Sequence, residues 1–341
     1  MPDPRIRVDP LVSSPAERER RGPARSALDR VWPLILGMAT GLGFRLLFWG
    51  EPTDAFNVMM ASFTLLVPVA VGAVTVFAVE RSARRSWGFY FWSAAGANTL
   101  FVVGTFLILI EGLICTIIAV PLFAVIGGVS GLVTGAICRR SGRPKPGLLS
   151  VAVLPLLLGS IEQHIPLPSR IDTVSAIRVV HASPEQVWRV ISHADDIAPH
   201  EMGNGWMYRI GVPLPLSAIT EERPGERVRH IEMGKGVSFD QVVVDWEPAR
   251  RVRYTYRFTE DSFPPRALDD HVRIGGEYFD LRDTEYLLEP TAQGTLLTAR
   301  MSYRVSTHFN WYARLVARLL VGNFEETALA FYARRAEQLS E

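Results

Sequence analysis

Residues 161–341 contain no cysteine. That half of the chain therefore forms no disulfide and no thiolate metal site. Both cysteines, Cys115 and Cys138, lie in the other half, and what that half lacks is charge. Between residues 31 and 161 charged side chains are confined to Arg45, Glu51, Asp54, the Glu80–Arg85 cluster, Glu111 and the Arg139–Lys145 cluster. Such breaks leave uncharged stretches of about twenty residues, the length that spans a bilayer's hydrocarbon core. The sequence also has no Gly-rich phosphate loop, no nucleophile elbow and no histidine pair at metal-ligand spacing on one helix. Phosphate-loop, serine-hydrolase and zinc-helix chemistry consequently have no support. No metal and no cofactor is expected. His193 and His200 near Asp195 and Asp196 read as a solvated helix end.

The formal net charge of +1 is a sum of opposites: residues 1–160 carry +6 and residues 161–341 carry −5. A mildly acidic second half argues against nucleic acid as a partner, which selects a basic face. Residues 1–30 are rich in Pro, Arg, Ser and Glu without apolar periodicity, and are expected to be a disordered tail. Their first apolar run starts too late for a secretory signal and lacks a small-residue cleavage pattern.

Residues 31–161 are expected to form an all-α transmembrane bundle of four to five helices. Four apolar segments, Val31–Gly50, Val58–Val79, Phe89–Ile110 and Gly112–Cys138, are long enough to span. A fifth, Gly147–Ile161, is short and carries Pro155. Lys and Arg gather in the tail and in the loops after segments two and four, while the intervening loops hold only Glu51, Asp54 and Glu111. That alternation places the N-terminus in the cytoplasm and the protein in the cytoplasmic membrane. If segment five also crosses, the following domain is extracytoplasmic, which is the expected placement; if it is re-entrant, the domain stays inside. Gly127, Gly131 and Gly135 stand at four-residue spacing, a pattern that lets helix backbones approach closely. Packing within the bundle is the expected use, and a homodimer face is the alternative. Arg45 either snorkels to the headgroups or pairs with Glu111, which this topology puts at the same level.

From Ile171 the pattern changes. Ile171–Ala182 reads as a strand, and Ser183-Pro184-Glu185 opens a short helix. Strands are expected at Arg227–Met233, Val237–Trp246, Val252–Phe258, Tyr278–Leu288 and Thr295–Val305. Their alternation describes an antiparallel sheet with one wet and one covered face. A terminal helix, Asn310–Leu339, is expected to break at Gly322 and to turn Leu315, Leu319, Phe324, Leu329 and Tyr332 to the sheet.

Residues 174–188, Val-Ser-Ala-Ile-Arg-Val-Val-His-Ala-Ser-Pro-Glu-Gln-Val-Trp, resemble the first strand and helix of the SRPBCC (START-like, helix-grip) superfamily. Trp246-Glu-Pro-Ala-Arg-Arg-Val-Arg-Tyr and the terminal helix are similar too, in the manner of polyketide cyclase/dehydrase and lipid-transport members fused to multi-span membrane segments. The resemblance covers roughly residues 168–341. It implies an α+β helix-grip fold, a curved antiparallel sheet around the long C-terminal helix, enclosing an apolar cavity. The expected lining is Phe239, Tyr254, Tyr256, Met301 and Tyr303, with Trp206 and Tyr208 at a rim that could instead rest at the bilayer interface. Thr259–Glu277 is long for a hairpin connection and reads as a lid.

The function expected is a membrane-tethered binding module for an apolar small molecule, lipid or isoprenoid-like, with the lipid bilayer as its other partner. A membrane-anchored cyclase or dehydratase using Asp270, His271 or Glu285 is the alternative, and an adaptor with a filled cavity is a third. The stripe of Arg314 and Arg318 beside Trp311 reads as solvated or as a contact for lipid headgroups.

Overall fold

The computed structural model describes residues 23–50, 56–142, 146–203, 205–265, 267–268 and 270–339. The N-terminal half is a helical bundle of α1 (Pro23–Leu47), α2 (Ser62–Ser82, its first turn a π-helix), α3 (Trp87–Leu107) and α4 (Leu113–Arg140). Pro23–Arg30, expected in the tail, already belongs to α1, which runs on through Pro33. Residues 1–22 of the expected tail lie outside the described residues.

Two of the four long segments, Ser62–Ser82 and Leu113–Arg140, are long and apolar enough to cross a membrane; the described apolar part of α1, Val31–Leu47, is shorter. Helix α3, which carries Ser93, Asn98, Thr99 and Thr105, is not one of this pair. α2 is the central helix, 78% buried over its apolar window, against 39% for α4. Val125, Val129 and Val133 leave an exposed apolar stripe on α4.

The row of glycines is used inside the chain. A Cβ at Gly127 would overlap the Asn98 side chain, at Gly131 it would stand 2.6 Å from Ala94 Cβ, and at Gly135 2.5 Å from the Tyr90 ring. Backbones of α2, α3 and α4 thus close on one another there.

The bundle has two unlike ends. At one, Arg139 lies over the Trp87 ring at 4.1 Å and donates to Arg85 O at 2.5 Å. At the other, Arg45 Nε donates to Glu111 Oε1 at 2.7 Å, and both side chains are nearly buried. Arg45 is therefore paired rather than snorkelling.

The fifth segment connects these ends. It begins as a 3-10 stretch, Pro146–Val153, against α2 and continues as α5 (Leu154–Glu162) against the first turn of α2. A 3-10 turn rises about 2.0 Å per residue and an α-helix about 1.5 Å. Its 8 and 9 residues therefore cover about 30 Å, as much as a longer α-helix would.

The C-terminal half is one antiparallel sheet curled around a long helix. Strands β1 (Ser169–Val180), β2 (His193–Ala194), β3 (Pro215–Arg223), β4 (Glu226–Met233), β5 (Ser238–Glu247), β6 (Arg251–Arg257), β7 (Phe279–Thr291) and β8 (Gly294–Ser306) lie in the order β1-β8-β7-β6-β5-β4-β3-β2. Bulges at Val243/Asp245 and Leu281/Asp283 add twist. α6 (Pro184–Ser192) opens on the expected cap: Ser183 Oγ accepts from Gln186 N, and Gln186 Oε1 accepts from Ser183 N. α7 (Trp206–Arg209) is one turn. α8 (Asn310–Gln338) runs unbroken through Gly322, which sits 3.7 Å (from an ideal Cβ) off Val174 of β1, so packing overrides propensity. The face it buries is Ala317, Val321, Glu325, Leu329 and Tyr332. Leu315 and Leu319, expected on that face, are more than half exposed together with Trp311, a second apolar stripe one hundred degrees or so around the helix. Arg314 is paired bidentately with Asp172 at 2.6 Å and holds that carboxyl below its usual range, so it is not a free basic stripe.

The curled sheet docks on the Arg45–Glu111 end of the bundle. Glu162 is the junction: it accepts from Ala61 N at 2.5 Å and Ser62 N at 2.7 Å, capping α2, while His308 Nδ1 lies 2.6 Å from its Oε1. Tyr312 donates to Ile118 O at 2.6 Å and Tyr278 to Asn57 Oδ1 at 3.2 Å. Glu162→Ala leaves two helix N–H groups without their acceptor, a loss of about 1–2 kcal/mol. The expected result is a melting temperature lower by a few degrees for the full chain in detergent, and an unchanged value would show the cap to be dispensable.

Candidate functional site

Between the sheet, α8 and the docked end of the bundle lies an apolar cavity of about 350 Å3. Its walls come from both halves. β4 and β5 present Ile231, Met233 and Phe239; β8 presents Met301; α8 presents Phe324, Ala328 and Phe331; and the bundle closes the space with Phe63, Phe101, Ile114, Leu122 and Phe123. The size and the greasy lining suit a small apolar molecule.

The expected lining residues separate. Phe239, Tyr256 and Met301 line the cavity. Tyr254 and Tyr303 do not: each is fully buried in packed core on either side of it. Strand parity put all of them on the covered face correctly, but that face is longer than the cavity. At the rim, Met202, Met207 and Val212 form the wall, whereas Trp206 is 40% exposed and Tyr208 packs against the core behind it.

The Thr259–Glu277 loop covers one side through Leu268, His271, Val272 and Ile274. It is pinned by Lys235 Nζ donating to Ala267 O at 3.2 Å and by Arg304 donating to Gly276 O and Glu277 O, both at 2.7 Å. Gly275 takes φ +76 where a Cβ would press on the Phe258 ring, so both conformation and space require glycine there.

The three catalytic candidates do not converge. Glu285 faces outward, 3.3 Å from Arg300. The Asp270 side chain lies outside the described residues. His271 Nε2 is 4.0 Å from Glu111 Oε2, beyond hydrogen-bond reach, and that carboxylate is engaged by Arg45.

Two charged residues that sequence reading passed over stand out instead. Arg229 is 2% exposed on the inner face of β4 and lines the cavity. Its Nη2 donates to Tyr332 Oη at 2.8 Å and its Nη1 to Gln241 Oε1 at 3.3 Å, while Nε has no partner. Among the described residues no carboxylate pairs with it. The rings of Tyr254 and Tyr332 lie 5.5 and 5.9 Å from the guanidinium carbon. Such contacts give about 0.5–2 kcal/mol each, less than the several kcal/mol that burying an ion costs. The available signal was parity: Arg229 shares a face with Ile231 and Met233.

Glu325 is 1% exposed on α8, with no partner for either carboxylate oxygen. Burial pushes its carboxyl up to about 8, and burial also raises the Tyr254 and Tyr256 hydroxyls to about 12. All three are neutral at pH 7. Glu325 stands four residues after Val321 and four before Leu329, so helical spacing alone marked it as inward.

Comparison with known families agrees with this fold. Residues 172–337 match the family model described as "Polyketide cyclase / dehydrase and lipid transport". These residues are an SRPBCC domain. Solved structures similar to the chain include the protein MLL2253 from Mesorhizobium loti, 20% identical, covering 49% of this chain and 96% of its own, with a TM-score of 0.27. Another is a protein from Rhizobium leguminosarum, 19% identical over 50% of this chain and 99% of its own, TM-score 0.28. A third is a norcoclaurine synthase point mutant from Thalictrum, bound to a transition-state analogue, 10% identical over 52% of this chain and all of its own (100%), TM-score 0.30. No curated protein matches the chain.

The raised Glu325 carboxyl fixes a pH dependence. Folded protein holds a proton there up to about pH 8, whereas the unfolded chain releases it near 4.5. Stability from this group is therefore full below about pH 4.5 and falls as pH rises towards 8. Glu325→Gln, which cannot ionise, is expected to be more stable than wild type at pH 8. The gain should be one to a few kcal/mol, since a tenfold change in proton affinity between the two states corresponds to about 1.4 kcal/mol. Its profile of melting temperature against pH should also be flatter. Parallel profiles for the two proteins would refute the assignment.

Proposed function

We propose that this protein is a membrane-tethered binding protein for an apolar ligand, which its SRPBCC domain takes up from the adjoining leaflet. The observation that carries the reading is the shared cavity: about a third of its wall belongs to a helical bundle whose outer surface is itself apolar. In this reading the bundle sits in the bilayer, with its arginine-rich end in the cytoplasm. The 3-10 stretch and α5 then make a fifth crossing, and the SRPBCC domain is extracytoplasmic. Trp311, Leu315 and Leu319 rest at the interface beside the bundle, where amphipathic rings are favoured. Tethering raises the effective concentration of a membrane-derived ligand at the cavity mouth.

Binding follows from burial of apolar surface at about 25 cal/mol per Å2, against walls preformed by two packed domains. A cyclase or dehydratase would need an oriented acid or base on this wall, and the His271–Glu111 separation does not provide one. A filled adaptor is disfavoured by the open volume.

Two measurements test this. Lipid extraction and mass spectrometry of the full-length chain purified in detergent should recover a stoichiometric apolar molecule. Ala119→Phe and Ala328→Phe, one on each half of the wall, should lower its recovery at least tenfold while the protein stays folded. Recovery of nothing from wild type would overturn the binding reading. For topology, a C-terminal fusion to a reporter that works only outside the cytoplasm should be active. Activity confined to a cytoplasm-only reporter would reverse the orientation.

A further inference from the structure

We infer that the ligand carries a single negative charge, a long-chain carboxylate that enters head-first and pairs with Arg229 at the floor of the cavity. The inference rests on the binding reading above and names the class of molecule bound.

Two arginines line the cavity, and they differ. Arg45 is neutralised by Glu111 at 2.7 Å. Arg229, at the opposite, sheet-covered end, has no carboxylate partner among the described residues, and its Nε–H is buried without an acceptor. A guanidinium keeps its charge in a protein. A carboxylate is the planar acceptor that matches its fork, taking two parallel N–H bonds. The groups around it are consistent with one anionic guest rather than with internal neutralisation. Tyr332 accepts from Arg229, Gln241 stands opposite it across the β4–β5 pair, and the Tyr256 hydroxyl is 2.6 Å from Thr284 Oγ1. The charge on the floor is +1, which suits a monoanion better than a phosphate dianion. The wall between this floor and the bundle is mostly apolar, with Phe239, Met301, Phe324 and Phe123 along it, so the rest of the molecule is a hydrocarbon body reaching towards the membrane half.

The test uses full-length protein, stripped of lipid in detergent, and three probes with the same chain: palmitate, hexadecanol and hexadecyl phosphate. Wild type should bind palmitate at least tenfold more tightly than hexadecanol. Arg229→Met, which keeps the apolar bulk, should lose that preference while retaining hexadecanol binding. Arg229→Lys should keep part of the preference, since it keeps the charge without the fork. Thermal unfolding of each variant verifies that it is folded. Equal binding of palmitate and hexadecanol by wild type would sink the carboxylate assignment and leave the apolar cavity standing. Tighter binding of hexadecyl phosphate than of palmitate would also overturn it, in favour of a phosphate head. Binding of none of the three would count against the cavity reading itself.

Discussion

An apolar hollow survives in water only if its mouth is covered by something equally apolar, and here that cover is the end of the helical bundle. The curled sheet and α8 enclose the cavity on their side, while Phe63, Phe101 and Phe123 complete it from below. The cover is held by polar bonds at its edge, where Glu162 binds the start of α2 and His308 together, and by Tyr312 and Tyr278. These bonds satisfy backbone and side-chain groups that docking would otherwise bury unpaired. Shape and polarity thus divide the work: the rings exclude water, and the bonds fix the position of one half on the other.

The same division explains the charges. Arg45, Glu111 and Arg229 all border a greasy space, where an unpaired ion is costly. Arg45 and Glu111 solve the problem between themselves. Glu325 solves it by remaining protonated. Arg229 can do neither, because no carboxylate among the described residues reaches it and a guanidinium does not give up its proton. Of these groups, the ion left uncompensated is the one on the sheet-covered floor, where water is least able to help.

Much of this was legible in the sequence, and the failures are instructive. Strand alternation located six of the eight strands to within three residues, since a half-covered antiparallel sheet writes its parity into the chain. It missed β3, whose Pro215 and run of Thr220–Arg223 hide a strand with only Ala218 fully buried. Counting loops put Arg45 and Glu111 at one level but left snorkelling open, and the structure has the pair. Length was read correctly at the fifth segment, which is short by count, but its 3-10 winding was not foreseen. Helical phase misled at Leu315 and Leu319, because apolar character alone does not say whether a residue meets the sheet or the surroundings. Cavity residues could be guessed only by face. Which part of that face is hollow depends on the bundle's end, and nothing local in either half announces that meeting.

A chamber with walls from two domains has an implication for how such a chain can change over evolutionary time. A replacement bundle would present different rings beneath the sheet, and a replacement sheet would meet a misfitting ceiling. The halves are thus poor candidates for shuffling, and substitutions at Phe123 or Ile114 in one would have to be answered by complementary ones near Met301 or Phe324 in the other.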